Sequence, residues 1–163
     1  MKIEKAHYVV ATAIIVKDRK YLLLKRAAHE TAYPNMWSVP GGKLERKDYE
    51  NKPKDSEDAW YYVGERLVER EVMEEAGITI KDIQYLTSLT FIRPDNIPVV
   101  VLSYFANYDQ GNVLLQDKSH TEHAWVSLEE AKEYDLIPGI YEEIEMIDRH
   151  LNGKAMGTWK KRN

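Results

Sequence analysis

Arg70-Glu71-Val72-Met73-Glu74-Glu75-Ala76-Gly77-Ile78 is the stretch whose reading decides the fold. Taken as helix, it places Glu71, Glu74 and Glu75 at i, i+3 and i+4, so the three carboxylates leave one face. Val68, Val72 and Ala76 recur at four-residue steps about 100° away around the helix, and this stripe is the core face. The carboxylates therefore border the core without entering it. Gly77 is placed to supply a left-handed C-terminal cap, which puts the helix over Ala59 to Ala76. Like charges this close disfavour each other's ionised forms, and a bound cation relieves the repulsion. An all-oxygen donor set suits Mg²⁺ or Mn²⁺ rather than zinc, and Mg²⁺ commonly meets substrate phosphates. Glu-rich helices also serve as solvated faces with i, i+4 ion pairs, and the three positions alone leave both readings open.

Upstream stands Trp37-Ser38-Val39-Pro40-Gly41-Gly42-Lys43-Leu44-Glu45. Together with Arg70 and Gly77, these residues resemble the Nudix hydrolase family, whose signature is G-x5-E-x7-R-E-U-x-E-E-x-G-U, with U a bulky aliphatic residue. Arg70, Glu71, Val72, Glu74, Glu75, Gly77 and Ile78 match every fixed position of its second half, and Gly42, after Pro40-Gly41 and before Glu45, matches the first. The first signature glutamate has no match. Counted forward from Gly42 it falls on Asp48 and counted back from Arg70 on Tyr62, a difference of 14 residues. The loop between glycines and helix thus carries an insertion, Arg46 to Tyr62. In the family that glutamate is mainly a partner of the signature arginine; Asp48, Glu50, Asp55 and Glu57 are candidates to replace it. The likeness continues outside the box, in Val9 to Val16, Tyr21 to Arg26, Trp37 to Gly42 and the late element His123 to Ala131.

The resemblance implies an α/β fold, an α/β/α sandwich whose mixed sheet is flanked by helices. It would be one domain over residues 1–163, with 46–62 inserted and 152–163 as a tail. It also implies Mg²⁺- or Mn²⁺-dependent hydrolysis of a nucleoside diphosphate linked to another moiety, in the first place a nucleoside triphosphate giving monophosphate and pyrophosphate. ADP-ribose or a nucleotide sugar is the alternative, since Pro94 falls 16 residues after the box. A non-catalytic nucleotide sensor is a further alternative, against which the retained Glu71, Glu74 and Glu75 count. On this reading Glu71, Glu74, Glu75 and the Gly42 carbonyl hold the metal. Glu71, Glu74, Arg70 and Glu122 are the catalytic candidates, with Glu122 the first choice of general base and Asp117 the second, both on an expected loop, Gln116 to His123. His120 and His123 titrate in the right range for proton transfer but are as readily surface residues. Arg26 is set to contact phosphate or to form an ion pair. Gly41, Trp37 and Phe91 complete the substrate-binding set, Tyr33 and Trp125 are further aromatic candidates, and Trp37 could equally pack under the glycine loop.

At 163 residues, with 23 basic and 27 acidic side chains and a formal net charge of −4, the chain as a whole does not attract a polyanion, so long nucleic acid is not expected as a partner. It holds 0 cysteines, which excludes disulfides and thiolate catalysis and fits a cytoplasmic protein. The lack of cysteine also counts against the diphosphate isomerases that share this fold. No run approaches the roughly 20 apolar residues of a membrane span, and Met1-Lys2-Ile3-Glu4-Lys5 lacks the apolar stretch of a secretory leader. The basic end, Lys154 with Trp159 to Arg162, reads as a frayed, solvated tail.

Along the chain, Tyr8 to Val16 reads as a strand buried on both faces, turned by Asp18-Arg19-Lys20 into a second strand, Tyr21 to Lys25. Arg46 to Asp58, charged and aperiodic, reads as exposed loop. Its neighbours Tyr49, Trp60, Tyr61 and Tyr62 suggest a flap over the substrate or a homodimer contact. Gly64, on the side of Glu71 and Glu75, either admits a close approach or is simply tolerated. Ile83 to Ile92 and Val99 to Ala106 are expected strands, and Gly111-Asn112 leads into Val113-Leu114-Leu115. Ser127 to Glu130 forms a capping box, and Ile140, Ile144, Ile147 and Leu151 mark a closing amphipathic helix after Pro138-Gly139.

Overall fold

A computed structural model describes residues 3–163. Met1 and Lys2, which open the stretch read against a leader, lie outside the described residues. The sheet has seven strands: β1 (Tyr8–Lys17), β2 (Lys20–Arg26), β3 (Trp37–Ser38), β4 (Gly41–Lys43), β5 (Thr79–Ile92), β6 (Pro98–Gln110) and β7 (His120–Val126). Its main path runs β3-β2-β1-β6-β5, with β4 also pairing β1 and β7 also pairing β2. Only β1 and β6 run parallel, so the sheet is mixed. The helices α1 (Val63–Ala76) and α2 (Ile140–Leu151) cover opposite faces.

Period-2 alternation explains why β1 and β2 read as continuous apolar runs. Ala11, Ala13, Ile15, Leu22 and Leu24 join Leu67, Val68, Val72 and Ala76 of α1 in one core. Their neighbours Ile14, Val16, Tyr21 and Leu23 join Ile144, Met146 and Ile147 of α2 in the other. The β1–β2 connection is tighter than its composition suggests: Asp18 and Arg19 both take positive φ, 49° and 59°, the geometry of a two-residue hairpin that follows the twist of the strands. Among the described residues no helix is long and apolar enough to cross a membrane.

Several boundaries differ from expectation. α1 starts at Val63, not Ala59, because the Asp55 carboxylate accepts the Tyr61 N–H and the 55–59 backbone closes on itself, leaving Tyr62 left-handed at φ 55°. Gly77 caps the other end as expected, with φ 68°. β5 and β6 are longer at both outer ends, since each supplies the other's ladder as far as Thr79 and Gln110. Val113 to Leu115 is irregular, held where the Leu114 N–H donates to the Ala76 carbonyl. The Ser127–Glu130 capping box forms reciprocally but opens only one short 3₁₀ turn. Gly64 does have a contact: a side chain there would strike the hydroxyl of Tyr104 on β6. The tail is not frayed but packs back on α2 and the turn before it. Trp159 Nε1 donates to the Gly139 carbonyl at 3.1 Å, and the Arg162 guanidinium lies 4.0 Å over the Tyr141 ring.

Ile147 is fully buried where α2 meets the sheet. Ile147→Ala is expected to lower unfolding free energy by about 2–5 kcal/mol, read as a shifted urea midpoint at unchanged m-value.

Candidate active site

The first observation is how closely β4 passes α1. β4 is hydrogen-bonded to β1 at Val10, Ala11 and Thr12, which fixes its height above the helix. A Cβ at Gly42 would collide with the Glu71 carboxylate, and one at Gly41 with the Ala11 carbonyl and Thr12. Only glycine allows this approach. The Gly41 N–H donates to Glu75 Oε2 at 3.4 Å. Glu71 and Glu75 are thereby held under the glycine backbone, Glu75 only 6% exposed.

Arg70 sits beside them within reach of three carboxylates. Its nitrogens lie 2.9 Å from Glu71 Oε1, 2.9 Å from Glu74 Oε2 and 3.1 Å from Asp48 Oδ1. Nε faces Asp48 without hydrogen-bond alignment, so that contact is one of charge. Asp48 therefore takes the place of the missing glutamate. Its other oxygen accepts the Glu45 N–H at 2.8 Å, which fixes it at the start of the inserted loop. Of the other candidates, Glu50 pairs with Arg46 and Asp55 with Arg66. The insertion closes on itself through the Tyr49–Trp60 ring contact and the Trp60 indole bond to the Lys52 carbonyl.

The third contribution comes from the segment before and at the start of β7. His120, 6% exposed, points inward with Nδ1 3.6 Å from Glu75 Oε2 and 3.9 Å from Asp117 Oδ1. Single donor atoms of Glu75, Asp117 and His120 all lie within 4.8 Å of one another. A cavity of about 570 Å³ opens over Glu71, Glu75, Asp117 and His120, and Arg26, Gly41, Gly42, Tyr33 and Phe91 also line it. Arg26 donates to the Ala32 carbonyl and pairs with Glu30 at 3.0 Å, so it combines the ion pair with a place on the cavity wall.

Other expected site residues stand elsewhere. Glu74 turns out toward Arg70 with its side chain 54% exposed, and does not line the cavity. Glu122 lies on β7 rather than on a loop, opposite Lys25, and pairs with its ammonium at 2.9 Å on the outer surface. A register shift at Lys25/Arg26 brings two β7 residues, Thr121 included, against one step of β2. That bulge turns His120 in while Glu122 stays out. Trp37 packs edge-on against Tyr134 at 4.9 Å beneath the loop, and Trp125 packs against Tyr108. His123 is exposed on the strand. Asp117 and His120 are the pair that the fold brings to the cavity, where the sequence favoured Glu122 over Asp117 and left His120 as readily a surface residue. Their signal was a histidine close to an aspartate in a polar stretch, which is common on surfaces.

With this geometry in view, residues 7–147 match the family model of the NUDIX domain. The chain belongs to the Nudix family. The NAD-capped RNA hydrolase NudC of Escherichia coli is 36% identical over 61 residues, covering 37% of this chain. The chain matches only 23% of the length of such curated relatives. The MutT protein of Methanosarcina mazei superposes with a TM-score of 0.66 at 26% identity, covering 91% of this chain and 97% of that one. The NUDIX domain of Shewanella oneidensis NrtR, solved with ADP ribose, superposes with a TM-score of 0.64 at 19% identity over 91% of this chain and 89% of its own, a likeness of fold.

Electrostatics in this Nudix site bear on a metal. Burial, then the Glu71 and Asp117 charges, push Glu75 up to about 9, and burial also raises Glu71 against the pull of Arg70. Burial pushes His120 down, which keeps its ring neutral and able to donate a lone pair. Crowded carboxylates short of positive charge, beside a neutral imidazole and a close glycine backbone, fit a divalent cation. Ligand atoms of Glu75, Asp117 and His120 cluster here with Glu71 alongside on the cavity wall, so an imidazole nitrogen stands among the oxygens expected.

Two predictions follow from these contacts. Asp48→Asn is expected to weaken Mn²⁺ binding about tenfold in calorimetry, whereas Glu50→Gln and Asp55→Asn change it by less than about threefold. A carboxyl raised in the folded state favours folding below its ordinary value of 4.5 and loses that contribution as pH rises toward 9. Melting in EDTA should therefore fall between these limits, with His120 opposing the trend only below its ordinary 6.5. Mg²⁺ should restore stability most at the alkaline end, and Glu75→Gln should flatten both effects.

Proposed function

We propose that this Nudix domain is a Mg²⁺-dependent pyrophosphohydrolase acting on a nucleoside diphosphate joined to another group. The first substrate class is a nucleoside triphosphate, which water converts to monophosphate and pyrophosphate. The observation that carries this reading is one cavity whose wall combines the carboxylates Glu71, Glu75 and Asp117 with the aromatic and aliphatic side chains Tyr33, Phe91 and Ile140. Its volume, about 570 Å³, is within the range for one small ligand.

Hydrolysis of a phosphoanhydride needs the charge on its oxygens neutralised, water set in line with phosphorus, and an acceptor for the water's proton. Glu71, Glu75 and the Gly42 backbone would hold the divalent ion, Mg²⁺ or Mn²⁺, with His120 as a nitrogen donor beside them. When bound, the ion supplies charge neutralisation and a more acidic water. Arg70 orients Glu71 and opposes the burial that raises its carboxyl. Arg26 uses two nitrogens on Ala32 and Glu30 and keeps Nη1 for a phosphate oxygen. Asp117, on the cavity wall with a 41% exposed side chain, is the proton acceptor in preference to Glu122.

ADP-ribose and nucleotide sugars are the second reading. It is favoured by curated relatives named for an NAD cap and by the turn carrying Pro94, whose neighbour Arg93 lines the cavity. The cytoplasm is the expected setting, in keeping with the absence of cysteine. A homodimer formed through residues 46–62 belongs to the same proposal.

A panel of nucleoside triphosphates, ADP-ribose and nucleotide sugars, assayed with Mg²⁺ and inorganic pyrophosphatase, tests the reading. Turnover is expected, and Glu75→Gln and Asp117→Asn should each reduce kcat more than about 100-fold while Glu122→Gln leaves it within about threefold. Binding without turnover across the panel would favour the nucleotide sensor.

A further inference from the structure

A second carboxylate lines the same cavity far along the chain from the box. Glu143, on the first turn of α2, is 3% exposed and has Ser103 of β6 as its hydrogen-bond partner, at 3.0 Å to Oε1. Charged side chains are almost never buried this deeply unless paired, and an ionised carboxylate can accept about four hydrogen bonds. Oε2 has no protein donor among the described residues, and Glu143 is part of the cavity wall. The chemistry at Glu71 and Glu75 makes no use of it. Burial raises this carboxyl to about 7, which shows how little in the protein compensates its charge.

The neighbouring hydroxyls fix the polarity. At pH 8, above its raised value, Glu143 is ionised and has no proton to give, so Ser103 must donate to it. Ser103 Oγ then accepts from the Thr12 hydroxyl, 3.4 Å away across the parallel β1–β6 pair. With both hydroxyl protons committed, Thr12 Oγ1 and Glu143 Oε2 are left as acceptors, and both residues line the cavity. Val99, Val101 and Phe91 surround them with apolar surface, suited to the faces of a flat ring.

We infer that Glu143, oriented by Ser103 and Thr12, selects a heterocycle edge bearing adjacent N–H donors, the guanine edge of a nucleotide. Among the standard bases only guanine offers a ring N–H next to an amino group; adenine and cytosine set an amino group beside an acceptor, and uracil flanks its N–H with two carbonyls. The inference deepens the nucleotide reading and rests on it. A structural tie between α2 and the sheet would account for the Ser103 bond but gives no reason for an acceptor facing the cavity.

Calorimetry with GMP and IMP in EDTA at pH 8 tests it without any need for turnover, because the two differ only in the 2-amino group. The wild-type protein is expected to bind GMP about 10–100-fold more tightly than IMP, the worth of one hydrogen bond to a charged acceptor. In Glu143→Gln, checked for an intact melting transition, that ratio should fall within about threefold, while IMP affinity is retained. Equal wild-type affinities, no GMP binding, or an undiminished ratio in the variant would overturn the assignment. Hydrolysis of triphosphates with equal GMP and IMP affinity would sink this inference and keep the hydrolase; GMP preference without hydrolysis of any compound would do the reverse.

Discussion

The close passage of Gly41-Gly42 over Glu71 and Glu75 is the constraint on which the rest of the structure depends. Antiparallel pairing with β1 sets the height of the glycine strand, and the packing of Leu67, Val68, Val72 and Ala76 sets the height of the helix. The carboxylates occupy the gap between two surfaces that are each fixed by their own core. Burying acidic groups there costs free energy, and the structure concentrates that cost where a cation would offset it. Arg70 supplies part of the compensation from the solvent side, shared among Asp48, Glu71 and Glu74.

The two faces of the sheet have separate tasks at this cavity. The α1 side provides the carboxylates, and the α2 side provides Ile140 and Glu143. Trp37 joins them without touching the cavity. Its backbone bonds Asp135 and Ile137, and its ring packs on Tyr134, so the segment leading to Gly139 is held to the strand that precedes the glycines. The tail adds a brace on the outer surface, where Trp159 reaches the Gly139 carbonyl.

Much of this was legible in the sequence because the signals were periodic and local. Strand alternation in β1 and β2, the four-residue stripe of α1, the Gly77 cap and the amphipathic stripe of α2 each depend on near neighbours. The glutamates divided less cleanly. Spacing placed Glu71, Glu74 and Glu75 on one face, but that face is wide enough for Glu74 to turn toward Arg70 and solvent. Glu122 was misjudged because one bulge decides which β7 side chains point inward, and no residue type in that stretch announces a bulge. Glu143 drew no notice, since a Glu beside another Glu on an amphipathic helix ordinarily faces water; its depth depends on Ser103, forty positions earlier in the chain.

Asp48, near the start of the inserted segment, meets Arg70 beyond its end, and this bears on how such a chain can diverge. The Asp48–Arg70 contact closes the base of the excursion, and closing a longer loop costs only about 0.6 kcal/mol for each doubling of its length. The outer part of this segment can thus grow, shrink or be exchanged without disturbing the charge clamp at its base. The arrangement separates a tolerant outer segment from an intolerant inner one, so that novelty can accumulate next to the reaction centre while the centre itself stays unchanged.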